Sequence, residues 1–155
     1  MNIIKDPLDE MLKASDAVVV GVVEATSRGR LVGDPADGGV ISRVVTVRVE
    51  QSLLHRDESG AEVVLIEEEG WLPDGTPIEV NGVPASVVGD RGLWFLDQVP
   101  ADDVSVMVTI NSQGRFLDTA NGTVGGDHTD ALVQVLQQRP FDQLVELTLS
   151  LTKEL

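Results

Sequence analysis

Residues 16–26 read DAVVVGVVEAT, and from Val18 to Val23 no polar side chain interrupts the run. A strand shows successive side chains to opposite faces, so a run without polar alternation is a strand covered on both sides. Valine, stiff at χ1 and suited to a pleated surface, strengthens that reading. Such a strand belongs at the centre of a sheet, and the rest of the chain must supply what covers it.

Further strands follow in order. Residues 44–50 alternate, with Val45, Val47 and Val49 on one side and Thr46, Arg48 and Glu50 on the other, which is a strand with one wet face. Residues 61–67 form another. Asn81-Gly82, flanked by 78–80 and 83–85, is a strong hairpin signal, and Pro84, lacking an amide donor, places its strand at an edge or bulge. Residues 93–96 are a buried strand, and Val104, Val106, Val108 and Ile110 alternate with Ser105, Met107 and Thr109 in the next. A turn at 111–114 leads into Arg115-Phe116-Leu117. Residues 27–39, rich in Gly, Asp and Pro, read as a mobile loop.

Helices bracket these strands. Residues 6–14 carry Pro7 in the first turn, acids beside it, and Leu8, Met11 and Leu12 on one face. Near the C-terminus the apolar period changes, with Leu132, Val133 and Leu136 followed by Leu144, Val145, Leu147 and Leu149; Pro140 divides the stretch or kinks it. The expected fold is mainly β: an antiparallel OB-like β-barrel over about 16–125, with a short N-terminal helix and C-terminal helices over about 128–154. One domain, 1–155, suffices, because a chain this long buries roughly 70% of its unfolded surface around one core.

Composition removes several functions. Eleven basic residues against twenty-six acidic ones give a net charge of −15, so nucleic acid and anionic membranes meet repulsion. No cysteine is present, which excludes disulfides, thiolate nucleophiles and thiolate metal sites. No apolar run approaches the roughly 20 residues of a spanning helix, so membrane insertion is not expected. Gly-x-Ser-x-Gly, P-loop and dinucleotide fingerprints do not occur, and no cofactor is implied.

The order of a short helix, residues 15–23 (SDAVVVGVV), 45–54 (VTVRVEQSLL), 89–96 (GDRGLWFL) and 113–116 (QGRF) resembles a group of uncharacterised bacterial, often actinobacterial, exported domains. Their barrel is related to the netrin/tissue-inhibitor-of-metalloproteinase-like fold. The likeness runs from about 15 to 116. It implies a barrel of five or slightly more strands and a place outside the cytoplasm, provided an export signal has been removed; without one the chain is cytoplasmic. It supplies no catalytic residue. Those inhibitors act through a disulfide-anchored N-terminus, which a cysteine-free chain does not inherit.

Four clusters are candidates for chemistry. Asp127, His128 and Asp130, beside Gly125-Gly126, are the residues to hold a metal, although a helix cap explains them more simply. Asp34 and Asp37 lie in a glycine-rich loop suited to ligand contact but lacking the ligand pattern of a calcium loop. Glu67-Glu68-Glu69 reads as a solvated strand end. Trp71, in a loop of WLPDG, is either a plug for the barrel mouth or an interface anchor. The expectation is a non-catalytic extracytoplasmic domain that binds a protein or extracellular polymer, with Trp71, Asp34 and Asp37 as contacts. The alternatives are a metal-dependent hydrolase built on Asp127, His128 and Asp130, and an accessory subunit docking through its C-terminal helices.

Overall fold

A computed structural model describes residues 5–33, 38–55, 62–78, 85–99, 106–109, 114–119, 122–124 and 140–155. Its elements are α1 (Lys5–Ala14), β1 (Ala17–Val32), β2 (Val40–His55), β3 (Val63–Trp71), β4 (Arg91–Val99), β5 (Val106–Thr109), β6 (Arg115–Thr119), β7 (Gly122–Val124) and α2 (Phe141–Thr152). The protein is mainly β. Its strands lie in the order β1-β2-β3-β5-β4-β6-β7, and β1 also pairs with β4. Every pairing is antiparallel except that of β3 with β5, a single parallel pair between Ile66 and Met107.

The valine run is central, as its lack of alternation requires. β1 is bonded to β2 on one side and, over Ala17 to Val22, to β4 on the other. Its alternate side chains feed two separate cores. Ala17, Val19 and Val23 join Val45, Val47, Val64, Ile66, Trp94 and Leu96. Val18 and Val20 point the other way, to Leu93, Phe95 and Phe116 and to the helices, which contribute Leu8, Met11 and Leu12 from α1 and Phe141, Leu144 and Leu151 from α2. Phe95 and Phe116 meet edge to face, with centroids 6.1 Å apart. Where β1 and β4 cross, Gly21 faces Gly92. A β-carbon on Gly21 would stand 2.6 Å from Val47 Cγ1, so close strand approach requires glycine there.

Three expectations need correction. Residues 27–32 are not loop: β1 runs on to Val32, paired with β2 as far as Val40. Their polar, glycine-containing sequence hides the strand because this half is exposed on both faces and has no apolar rhythm to show. Glu67 and Glu68 are not a solvated end, since β3 continues to Trp71 and both carboxylates hold arginines. Trp71 is therefore the last residue of a strand, with the turn beginning at Leu72. Helix α2 starts directly after Pro140, and the expected helix around Leu132 to Leu136 and the Asn81-Gly82 hairpin lie outside the described residues.

Candidate functional site

Two neighbouring features of the β1-β2-β3 sheet are not explained by core packing alone. The first is a charged extension of the inner core. On β2 the inward positions run Val47, Val45 and then Arg43; on β3 they run Val64, Ile66 and then Glu68. Strand alternation thus drives an arginine and a glutamate inward at one end of an aliphatic face. Arg115 enters from β6, where it pairs with Trp94. Arg43 and Arg115 are only 8% and 7% exposed.

Burial of this kind is tolerable only with partners. Arg43 Nη1 donates to Glu68 Oε1 at 3.3 Å. Ser86 donates its backbone N–H to Oε1 at 3.2 Å and its hydroxyl to Oε2 at 3.1 Å, while Arg115 Nη1 donates to Ser86 Oγ at 2.9 Å. Arg115 also lies 3.9 Å from Glu68 Oε2. Burial pushes the Arg115 pKa below its usual value, with Glu68 and Asp90 acting against that shift. Chemically, this is a clamp: Glu68 serves as an acceptor on both oxygens, and the Ser86 hydroxyl is engaged as donor and acceptor at once. It fastens residues 85–90 to the sheet, aided by the bond from Val87 N–H to Asp90 Oδ2 at 3.1 Å.

Trp71 closes the same end. The Arg43 guanidinium sits 4.6 Å from its ring centroid, a cation–π contact, and the indole is half-buried. One strand over, Arg30 grips Glu67 with two bonds, Nε to Oε2 at 3.0 Å and Nη2 to Oε1 at 2.9 Å. That fork, opposed by burial and helped by the Ser42 hydroxyl, holds the Glu67 carboxyl below the usual carboxylate range.

The second feature is the outer half of β1. From Glu24 onward every residue except Gly29 is exposed through Val32, and among the described residues no strand pairs with its free edge beyond the β4 ladder. At the tip, Leu31 lies opposite Ile41, which in turn lies opposite Trp71. Leu31, Val32 and Leu72 are exposed here, and Val87 and Val88 project from the clamped 85–90 segment. Just before Leu31 the strand bulges at Gly29 and Arg30, and the Arg30 N–H donates to Ser42 Oγ at 3.1 Å.

Of the residues singled out from sequence, Trp71 lies within this region, whereas Asp34, Asp37, Asp127, His128 and Asp130 all lie outside the described residues. Among the described residues, no three His, Asp or Glu side chains are grouped to hold a metal. No helix is long and apolar enough to cross a membrane. Helix α2 turns Phe141, Leu144, Thr148 and Leu151 inward, so that face is occupied by the chain's own core. Sequence reasoning missed Arg43, Ser86 and Arg115, and it took Glu68 for part of a solvated strand end. A signal for two of them existed, since Arg43 and Glu68 keep the parity of the buried valines and isoleucine beside them. Neither any known family model nor any curated protein sequence gives a significant match to the chain.

Proposed function

We propose that the protein is a non-catalytic interaction module, an OB-like barrel acting outside the cytoplasm and recognising another protein through the outer half of β1 and the apolar side chains around it. The pairings β1–β2, β2–β3, β3–β5, β5–β4 and β4–β1 return to their starting strand. Five is the strand number of an OB-type barrel, and the single-pair contact between β3 and β5 suits its partly open wall. The resemblance in feature order to exported netrin/inhibitor-like domains supports the extracytoplasmic placement.

The observation that carries the functional reading is the exposed stretch of β1 ending in Leu31 and Val32, beside Leu72 and Trp71. An open strand edge offers backbone hydrogen bonds to an incoming segment, and neighbouring apolar side chains add affinity. A net charge of −15 favours partners with a basic rim and speeds their encounter.

The test is affinity capture from envelope and soluble fractions of the native organism, using wild type beside a Leu31→Ser/Leu72→Ser variant of equal melting temperature. A protein retained by wild type and lost by the variant is the expected result. Equal retention by both, or none by either, overturns the assignment of this surface.

A further inference from the structure

We propose that the edge of β1 left unpaired among the described residues pairs with the same edge of a second copy, forming a two-fold symmetric dimer with Ser27 on the axis. This rests on the reading of that edge as an interaction surface and names its occupant.

The direction of the backbone groups carries the argument. In an antiparallel ladder successive residues point their N–H and C=O alternately toward one neighbour and the other. Val23 points away from β2: its N–H donates to the Asp90 carbonyl at 2.8 Å, and its carbonyl accepts from Gly89 N–H at 2.9 Å. Glu24 is the extra residue of a bulge, after which Ala25, Thr26, Ser27 and Arg28 pair regularly with Thr46, Val45, Val44 and Arg43. Alternation from Val23 therefore resumes with Ala25 and Ser27 toward β2 and with Thr26 and Arg28 outward. The next residues bulge again, and the Arg30 N–H turns back to Ser42. Thr26 and Arg28 are the outward pair.

Only one symmetric register uses both. With Ser27 opposite itself, Thr26 of each copy faces Arg28 of the other, and each pair exchanges two backbone bonds. The same register sets Glu24 opposite Arg30 and Ala25 opposite Gly29, so no like charges meet and no bulky pair collides. Sliding until Arg28 faces itself brings like charges together and offers Thr26 the inward-turned Arg30. Sliding the other way leaves Arg28 against the bulged Glu24.

Apolar complementarity agrees with this register. The ladder ends at Glu24, because the outward groups of Val23 are already bonded to Gly89 and Asp90; the residues of the second copy beyond Arg30 therefore meet the turn through Val87 and Val88. Leu31 (50% exposed) and Val32 (40%) then come against Val87 (57%) and Val88 (63%), which together are four of the seven large apolar side chains exposed among the described residues. The bulges at either end limit the ladder to a short stretch, and a two-fold pairing consumes both edges, so assembly stops at two. A short ladder with a small apolar contact makes a weak, concentration-dependent dimer.

The absence of cysteine makes the register directly readable. Opposed Ser27 residues form a non-hydrogen-bonded pair, with α-carbons about 4.5 Å apart, within disulfide reach. Ala25 residues of the two copies would stand about 13 Å apart along the ladder. Under mild oxidation Ser27→Cys is expected to form a covalent dimer at least tenfold faster than Ala25→Cys. In sedimentation velocity the wild type shifts from monomer to dimer between about 10 μM and 1 mM, while Thr26→Pro, which removes only an outward donor, stays monomeric. A wild-type monomer across that range, a dimer that survives Thr26→Pro, or equal cross-linking at the two cysteines overturns the proposal. If the wild type is monomeric yet a foreign protein still binds this edge, self-pairing is overturned and the interaction reading stands.

Discussion

Arg43 and Glu68 are direct cross-strand partners, each two residues beyond a buried aliphatic side chain on its own strand. Their pairing joins the inner core to the clamp on residues 85–90. Glu68→Gln leaves Arg43 and Arg115 buried against a neutral amide and is expected to cost about 2–3 kcal/mol, somewhat below the loss for a fully buried pair. Urea unfolding of the two proteins at pH 7 measures the difference. A change below about 0.5 kcal/mol would show that the arginines are satisfied without the carboxylate.

Gly21→Ala tests the crossing of β1 with its neighbours. The added methyl meets the Arg48 carbonyl oxygen and Val47 Cγ1, and backbone on both sides prevents an easy retreat. A loss of about 1–3 kcal/mol is expected from overpacking. Gly75→Ala is a useful contrast. No atom lies near its added carbon, but its φ of 91° makes the cost one of backbone strain in an exposed turn.

The Arg30–Glu67 fork has a defined pH signature. Because the folded-state pKa of Glu67 is lowered, its contribution is present above the unfolded pKa and disappears as pH falls through the folded one. The stability gap between wild type and Arg30→Met should be clear at pH 7 and shrink as the pH is taken below the usual carboxylate range. Both side chains are partly exposed, so the gap is expected to stay below about 1 kcal/mol.

Asp97 behaves oppositely. Its hydrogen bond with Asp16, then burial and the repulsion between the two carboxylates, raise its pKa. Stability linked to the shared proton is present below the unfolded pKa and lost as pH rises through the folded pKa. Asp97→Asn should therefore raise the melting temperature slightly at pH 7, by about 1–2 °C, and leave it unchanged at pH 3. A rise of equal size at both pH values would rule out the carboxyl pair as its source.

The parts of the fold legible from sequence were those that buried surface makes periodic. Val18 to Val23 announced a doubly covered strand, Val45 and Val47 a half-buried one, and the apolar faces of α1 and α2 their helices. The outer half of β1 escaped because Ser27, Arg28, Gly29 and Arg30 lie in a stretch that runs beside β2 and buries almost nothing. The clamp escaped for a different reason. Arg43 and Glu68 are on the inward face by parity, but their charge suggests solvent until the strands are seen to bring them together with Ser86 and Arg115. Trp71 drew notice as an aromatic in a poor background of rings, yet nothing in the sequence placed Arg43 against its face.

The double coverage of β1 also sets the order of events at the ribosome. Val22 lies beside Arg91, and α2 comes from residues beyond Pro140. At ~5–20 residues per second, roughly 4–14 s pass between synthesis of the valine run and synthesis of its β4 partner. During that interval the nascent chain carries an adhesive strand whose two cores are both incomplete, and β2 alone can shield one of its edges. Factors that bind emerging hydrophobic segments should therefore engage this chain early and release it only after Leu96 has cleared the exit tunnel.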